Sequence, residues 1–335
     1  MARVGIREVA VLADVAVGTV SNYLNHPDRV SDDKAARIRS AIDSLGFVPS
    51  NAGRQLRLGV SSAIGYIAPD VSNPYFAEIA ESVERRASEL GFTVFLANSH
   101  RDRDRENAYI ETFEQYRVQG LLMSSHLPVE DRLAQVRRRG TPSVLVGQRG
   151  QSDEQPSVSL DEVSGGRQAM THLLEVGSRR LLFVGGPLDI PQVSGRLAGA
   201  GEVVREFGAA TLEVMDEPDR TVRGGKRIGA ALLARPAEMM PDGIFAANDL
   251  LALGIMNALV AGGVDVPGRT AIVGYDDIEF AEASLIPLTS VMGRHEDFGV
   301  SVVDLLFDAI GGQSITEPHR MFEPQLVIRS STQRA

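Results

Sequence analysis

The 335-residue chain has no cysteine, which excludes disulfides and thiolate metal sites and allows a cytoplasmic address without requiring one. It also has no tryptophan, and aromatic residues make up only 5% of it, so few rings are available to stack on a flat ligand. No apolar run approaches the roughly 18 residues of a membrane-spanning helix, and the N-terminus lacks the charged-then-apolar layout of a secretory signal. Enzyme signatures are missing too, since no G-x-S-x-G elbow, phosphate loop or zinc-helix pair occurs. His26, His100, His126, His172, His295 and His319 are dispersed rather than set at ligand spacing. No cofactor, no metal and no membrane partner are therefore expected. Positive charge is scarce as well: the formal net charge is -10, which by itself argues against a polyanionic partner.

The charge that is present is uneven. Residues 1–60 carry eight basic against six acidic side chains, a net of +2, which leaves -12 on the rest. A mildly basic front on an acidic body permits nucleic-acid contact through the front alone. The length exceeds one typical core, so two or three folding units are expected.

Residues 6–25 read as two short helices around a tight turn. Ile6, Val9, Ala10 and Ala13 lie at helical spacing, and Val20 and Leu24 on the second helix can pack back onto them. Asp14 fills the turn and is among the few non-glycine residues that tolerate a positive φ, after which Val15 dips into the small core. A third helix is announced by Ser31 as N-cap, Asp32 and Asp33 in the first turn, and Ile38, Ile42 and Leu45 on one face, with a stop at Gly46. Residues 49–57 are short and polar, a linker or a helix that needs a partner to form.

From about Ala63 short β-rich runs alternate with helical stretches. Strands are predicted at 64–68, 93–97, 120–124, 143–146, 181–184, 212–215, 244–247 and 271–274, with a last one at 325–328. Helices are predicted at 75–90, 105–116, 130–139, 162–176, 223–233, 249–261 and 297–310. This alternation predicts parallel sheets covered by helices on both faces. Ligands of such sheets collect beyond the carboxyl ends of the strands, which draws attention to 70–76, Gln148, Arg149, Asn248, Asp249 and 275–277. Gly185-Gly186 and Gly224-Gly225 read as turns. No leucine heptad follows the last strand, so no coiled-coil tail is expected.

The pattern V-A-x-x-A-x-V-x-x-x-T-V-S-x-x-L-N, running from Val9 to Asn25, resembles the N-terminus of LacI/GalR-family transcriptional regulators, and the similarity continues through nearly the whole chain. The resemblance implies an α/β protein with an N-terminal helix-turn-helix head and a two-lobed periplasmic-binding-protein-like domain of parallel sheets flanked by helices. The head would be 1–50, a hinge helix or linker 51–60, and an effector-binding and dimerisation domain 61–335. Lobe one would take about 61–158 and 289–318, and lobe two about 159–288 and 319–331. It further implies a cytoplasmic, homodimeric repressor that binds double-stranded operator DNA and answers to a small-molecule effector, a sugar or sugar derivative. An enzyme or a solute-binding protein with the same two-lobed body is the alternative. The solute-binding reading would call for an export signal and no helical head.

If the second helix enters the major groove, as the resemblance implies, Val17, Gly18, Ser21 and Asn22 meet base edges. Asn22 stands where the family commonly has arginine, and asparagine pairs best with adenine N6 and N7. Ala16 replaces the family's capping serine and Gly18 sits inside the helix, each costing about 1 kcal/mol. Thr19, Asn25 and Arg29 suit phosphate contacts, with a plain solvated face equally open for Arg29. Asn51 and Arg54 fall in the hinge, where Leu56 matches the family's minor-groove wedge, and Gly53 replaces the usual alanine.

In the body, Asn73, Tyr75 and Phe76 resemble the family's cleft loop, and Arg196 matches the arginine that holds ligand oxygens. Asn248, Asp249 and Asp276 match positions that accept ligand hydrogen bonds, although each suits a helix cap as well. Tyr275 is equally a stacking partner or a core residue. Near Arg220 the family often has phenylalanine or tryptophan. Arg149, Arg196, Arg220 and Arg223 are expected instead to surround an anion, which favours a phosphorylated or carboxylated effector.

Overall fold

A computed structural model describes residues 4–48, 61–293 and 295–334. The chain divides into two compact units, Met1–Ser61 and Ser62–Ala335.

The first unit contains α1 (Ile6–Leu12), α2 (Val17–Asn25), a 3-10 turn at Pro27–Arg29 and α3 (Asp32–Leu45). Val9, Ala10, Ala13, Val20, Ile38, Ala41 and Phe47 form its core, with Val15 and Leu24 packed at the edge. Asp14 takes the expected left-handed turn at φ 48, and Gly46 ends α3 at φ 58. Ser31 holds the N-cap position of α3, but its side chain makes no capping bond. The negative charges of Asp32 and Asp33 in the first turn are what remain to favour that helix end. The hinge, with Asn51, Arg54 and Leu56, lies outside the described residues.

The second unit is built on two six-stranded sheets. The first is all parallel, in the order β11 (His319–Phe322), β5 (Ser157–Leu160), β4 (Ser143–Val146), β3 (Leu121–Met123), β1 (Ala63–Ala68), β2 (Thr93–Asn98). The second runs β12 (Gln325–Val327), β10 (Thr289–Met292), β9 (Ala271–Asp276), β8 (Gly243–Ala246), β6 (Arg180–Gly185), β7 (Thr211–Asp216), with β12 alone antiparallel. Helices α4 (Pro74–Glu89), α5 (Arg103–Gln115), α6 (Glu130–Arg138) and α12 (His295–Ile310) accompany the first sheet. Helices α7 (Glu162–Glu175), α8 (Pro191–Phe207), α9 (Val222–Leu233), α10 (Asp249–Ala261) and the short α11 (Glu279–Ala283) accompany the second. Central strands such as β1, β8 and β9 are buried on both faces, as helix-covered parallel strands should be.

Strand pairing corrects the lobe boundaries read from the sequence. Residues 289–292 pair with β9 and so belong to the second lobe, whereas 319–322 pair with β5 and belong to the first. The chain therefore crosses between lobes after β5, between β10 and α12, and between β11 and β12. Strands β5, β10 and β11 and helix α8 were not anticipated. The three strands are short and broken by polar side chains, Ser157 and Ser159 in β5, Thr289 and Ser290 in β10, His319 and Arg320 in β11, and α8 carries Gly195, Gly199 and Gly201, which dilute its apolar period.

Gly195 and Gly199 have a packing role, whereas Gly201 faces open space. A methyl group on Gly199 of α8 would overlap the Val163 carbonyl of α7, and one on Gly166 of α7 would overlap the Arg196 carbonyl. The pair α9 and α10 approaches in the same way, with Gly225 against the Leu251 carbonyl and Gly254 against that of Val222. Gly224-Gly225 is therefore not a turn but part of a helix that touches its neighbour backbone to backbone.

Candidate functional site

On the head, α2 opens at Ala16 without a side-chain cap. Val17, Gly18 and Asn22 are exposed along it, while Thr19 and Ser21 are half-buried. The Asn25 amide donates to the Ser21 carbonyl at 2.6 Å and so is engaged within its own helix, and Arg29 is exposed on the 3-10 turn. The exposed side of this helix thus carries one amide and one small apolar side chain, a face suited to few base contacts.

In the body, one cleft collects residues that follow the carboxyl ends of strands in both sheets. From the first lobe come Asn73, Tyr75 and Phe76 after β1, Arg101 after β2, Ser124, Ser125 and His126 after β3, and Gly147 after β4. From the second come Gln192 and Arg196 on the helix after β6, Arg220 after β7, Asn248 after β8, and Asp276 at the end of β9. Ligands of open parallel sheets bind in this position.

Arg196 is fixed from several sides. It is 5% exposed, its Nε donates to Glu162 at 2.8 Å and its Nη2 to the same carboxylate at 3.3 Å. Its Nη1 donates to the Ala247 carbonyl and lies 3.8 Å from Asp276, while the guanidinium sits 3.5 Å from the centre of the Tyr275 ring. Burial alone would lower its pKa, but Glu162, Tyr275 and Asp276 together hold it above the ordinary arginine value. Arg101 pairs with Asp70 at 3.1 Å, held by a loop in which His100 and Arg101 both have positive φ.

Two bonds cross the cleft from lobe to lobe. Gln192 Nε2 donates to the Gly147 carbonyl at 2.7 Å, and Arg220 Nη2 donates to His126 Nδ1 at 3.3 Å. Burial, followed by Arg220, Arg101 and Arg196, pushes His126 down to about 2, so its ring is neutral and can accept that bond. Burial first, then the same neighbouring cations, pushes Arg220 down to about 10. Asn248 caps α10 through Leu251 N at 3.0 Å and holds the Arg220 carbonyl at 3.1 Å.

Three expectations for this cleft need correction. Asp249 is wholly buried and turned away, accepting from Ser290 Oγ at 2.6 Å and Ile278 N at 2.9 Å, with its pKa raised well above the usual carboxylate range by burial and by Asp276. Tyr275 lies beneath Arg196 as a core residue rather than on the cleft wall. Arg149 and Arg223 are exposed outside the lining, so the expected ring of four arginines is a set of three, Arg101, Arg196 and Arg220. Arg101, His126 and Gln192 were missed. The first two follow strands that the sequence did reveal and were reachable by the same strand-end rule, whereas Gln192 went unseen with its helix.

No helix among the described residues is long and apolar enough to cross a membrane. Comparison with known proteins matches residues 5–50 to the model of bacterial regulatory proteins, lacI family, and residues 170–332 to that of the periplasmic binding protein-like domain. The ribose operon repressor of Halalkalibacterium halodurans is 32% identical over 328 residues, covering 98% of this chain and 96% of that one. Among solved structures, the lac repressor dimer bound to operator and the anti-inducer ONPF aligns with a TM-score of 0.84 at 25% identity, over 100% of both chains. The CelR–cellobiose complex aligns at 0.71 with 31% identity, covering 98% of this chain and 100% of that one. Because the likeness runs through head and body together rather than through either alone, this chain belongs to the LacI family of bacterial regulatory proteins, which act on transcription by binding DNA.

Proposed function

We propose that the protein is a cytoplasmic, homodimeric repressor whose hold on its operator is set by a sugar or sugar derivative bound between the two lobes, and that it acts by binding rather than by catalysis. The observation that carries this reading is the cleft itself, where fixed donors from the ends of both sheets face one another and two hydrogen bonds already join the lobes. A ligand that touches both walls has more contacts in a closed arrangement than in an open one, and such differential binding is what shifts a two-state equilibrium. The names of the relatives agree with this, since one regulates a ribose operon and another was solved with cellobiose.

Val17, Gly18, Ser21 and Asn22 are assigned to base edges, and Thr19, Asn25 and Arg29 to phosphates. Asn51, Arg54 and Leu56 are assigned to a hinge that reaches the minor groove. Dimerisation is assigned to the free edge of the first sheet, where β2 exposes Leu96 and also Phe95, which lies against the exposed Tyr116, apolar side chains on an edge strand that a second copy would cover.

Fluorescence anisotropy on DNA from the chain's own upstream region tests the whole reading. A ligand that raises the melting temperature of the protein should change operator affinity by about 5- to 150-fold, the span of a typical 1 to 3 kcal/mol coupling. Stable binding of ligand with no change in DNA affinity would refute it.

A further inference from the structure

The charges in the cleft are not all matched. Arg101 has Asp70 at 3.1 Å, and Arg196 has Glu162 at 2.8 Å and Asp276 at 3.8 Å. Arg220 is 7% exposed and lines the same space, yet among the described residues no carboxylate pairs with it. Its side-chain partner is the neutral ring of His126. A buried cation without a counter-charge is costly and gains most from an anion brought to it. Burial and the repulsion of Arg101 and Arg196 outweigh the weaker attraction of Asp276 and Asp70, in agreement with its lowered pKa. Gln192, on the same wall, has a buried Oε1 with no hydrogen-bond partner, so the cleft holds an unmet acceptor as well as an unmatched cation.

We propose that Arg220, with the neutral His126 beside it, forms an anion subsite, and that the effector carries a phosphate or carboxylate group at that end and hydroxyl groups towards Gln192 and Arg196. The planar guanidinium can donate two parallel bonds to either anion. The neutral imidazole, having given one nitrogen to Arg220, keeps one N–H that can donate. This rests on the effector reading above and narrows it to acidic ligands.

Isothermal titration of the full-length protein at fixed ionic strength tests it, with ribose, ribose 5-phosphate and ribonate as one set and glucose, glucose 6-phosphate and gluconate as another. At least one acid should bind ten-fold or more tightly than its neutral parent. A phosphate that outbinds the matching aldonate marks a phosphate site, and the reverse order marks a carboxylate site. Arg220→Leu should bring the acid-to-neutral ratio close to one, whereas Arg220→Lys, which keeps the charge, should preserve most of it and so separates lost charge from a damaged fold. Neutral sugars binding as tightly as their acids, a ratio untouched by Arg220→Leu, or binding by none of the six compounds would overturn the anion subsite. Acid binding that leaves operator affinity unchanged would overturn only the effector reading.

Discussion

At the scale of single residues, His126 makes the proton balance of this body measurable. The folded protein holds its ring neutral down to about 2, whereas the unfolded chain takes up a proton near the ordinary value of about 6.5. The unfolded state therefore binds more protons below that pH. Stability is fully present above about 6.5 and is lost as pH falls towards the folded value, by at most about 1.4 kcal/mol per pH unit. His172, also lowered by burial, contributes with the same sign. The urea midpoint should drop between pH 7 and pH 5, and His126→Asn should flatten that slope. An equal slope in the variant would count against a buried neutral ring. Residue identity and position relative to strand ends were enough to place Asn73, Arg196, Arg220 and Asp276 at the cleft. They could not tell Asp249 from Asn248, because adjacent residues at a helix start can point to opposite sides of the wall, and the direction is decided by tertiary partners such as Ser290 and Ile278.

At the scale of elements, α2 is weakly built. With Ala16 as its N-cap and open space around Gly18, both sites accept improvement. Ala16→Ser and Gly18→Ala should each raise the opening free energy of the α2 amides by about 1 kcal/mol, read by native-state hydrogen exchange on the full chain. Protection that stays constant would mean that tertiary contacts rather than helix propensity set the stability of this segment. The α7–α8 crossing makes the opposite prediction. Gly199→Ala should destabilise the body by about 1 to 3 kcal/mol, because the added methyl meets a backbone carbonyl that cannot yield cheaply. It should also weaken ligand binding, since α8 carries both Arg196 and Gln192. Calorimetric unfolding with and without ligand separates the two effects. Gly195 and Gly199, which let these helices approach, also dilute the apolar period of α8, so the feature that builds the site also hid its helix from a periodicity reading. Helices with ordinary amphipathic faces, such as α4 and α6, were legible almost to their ends.

At the scale of the whole molecule, a chain of net charge -10 that binds DNA through a slightly cationic front should do so only as a pair, since one weak head offers few phosphate contacts. Leu96→Asp, placed on the exposed edge of the first sheet, is expected to yield monomers in sedimentation and to cost at least ten-fold in operator affinity. A variant that stays dimeric would move the interface elsewhere. Fold class and the two-lobed plan were readable because alternating strands and helices leave few topologies, but β5, β10 and β11 had to be located by their pairing. The last two strands, β11 and β12, have a genetic corollary. Residues 319–327 supply an outer strand to each sheet in turn, one to β5 and the next to β10, so a premature stop codon just before residue 319 would strip both lobes at once and leave an intact reading head attached to a sensor that cannot hold together.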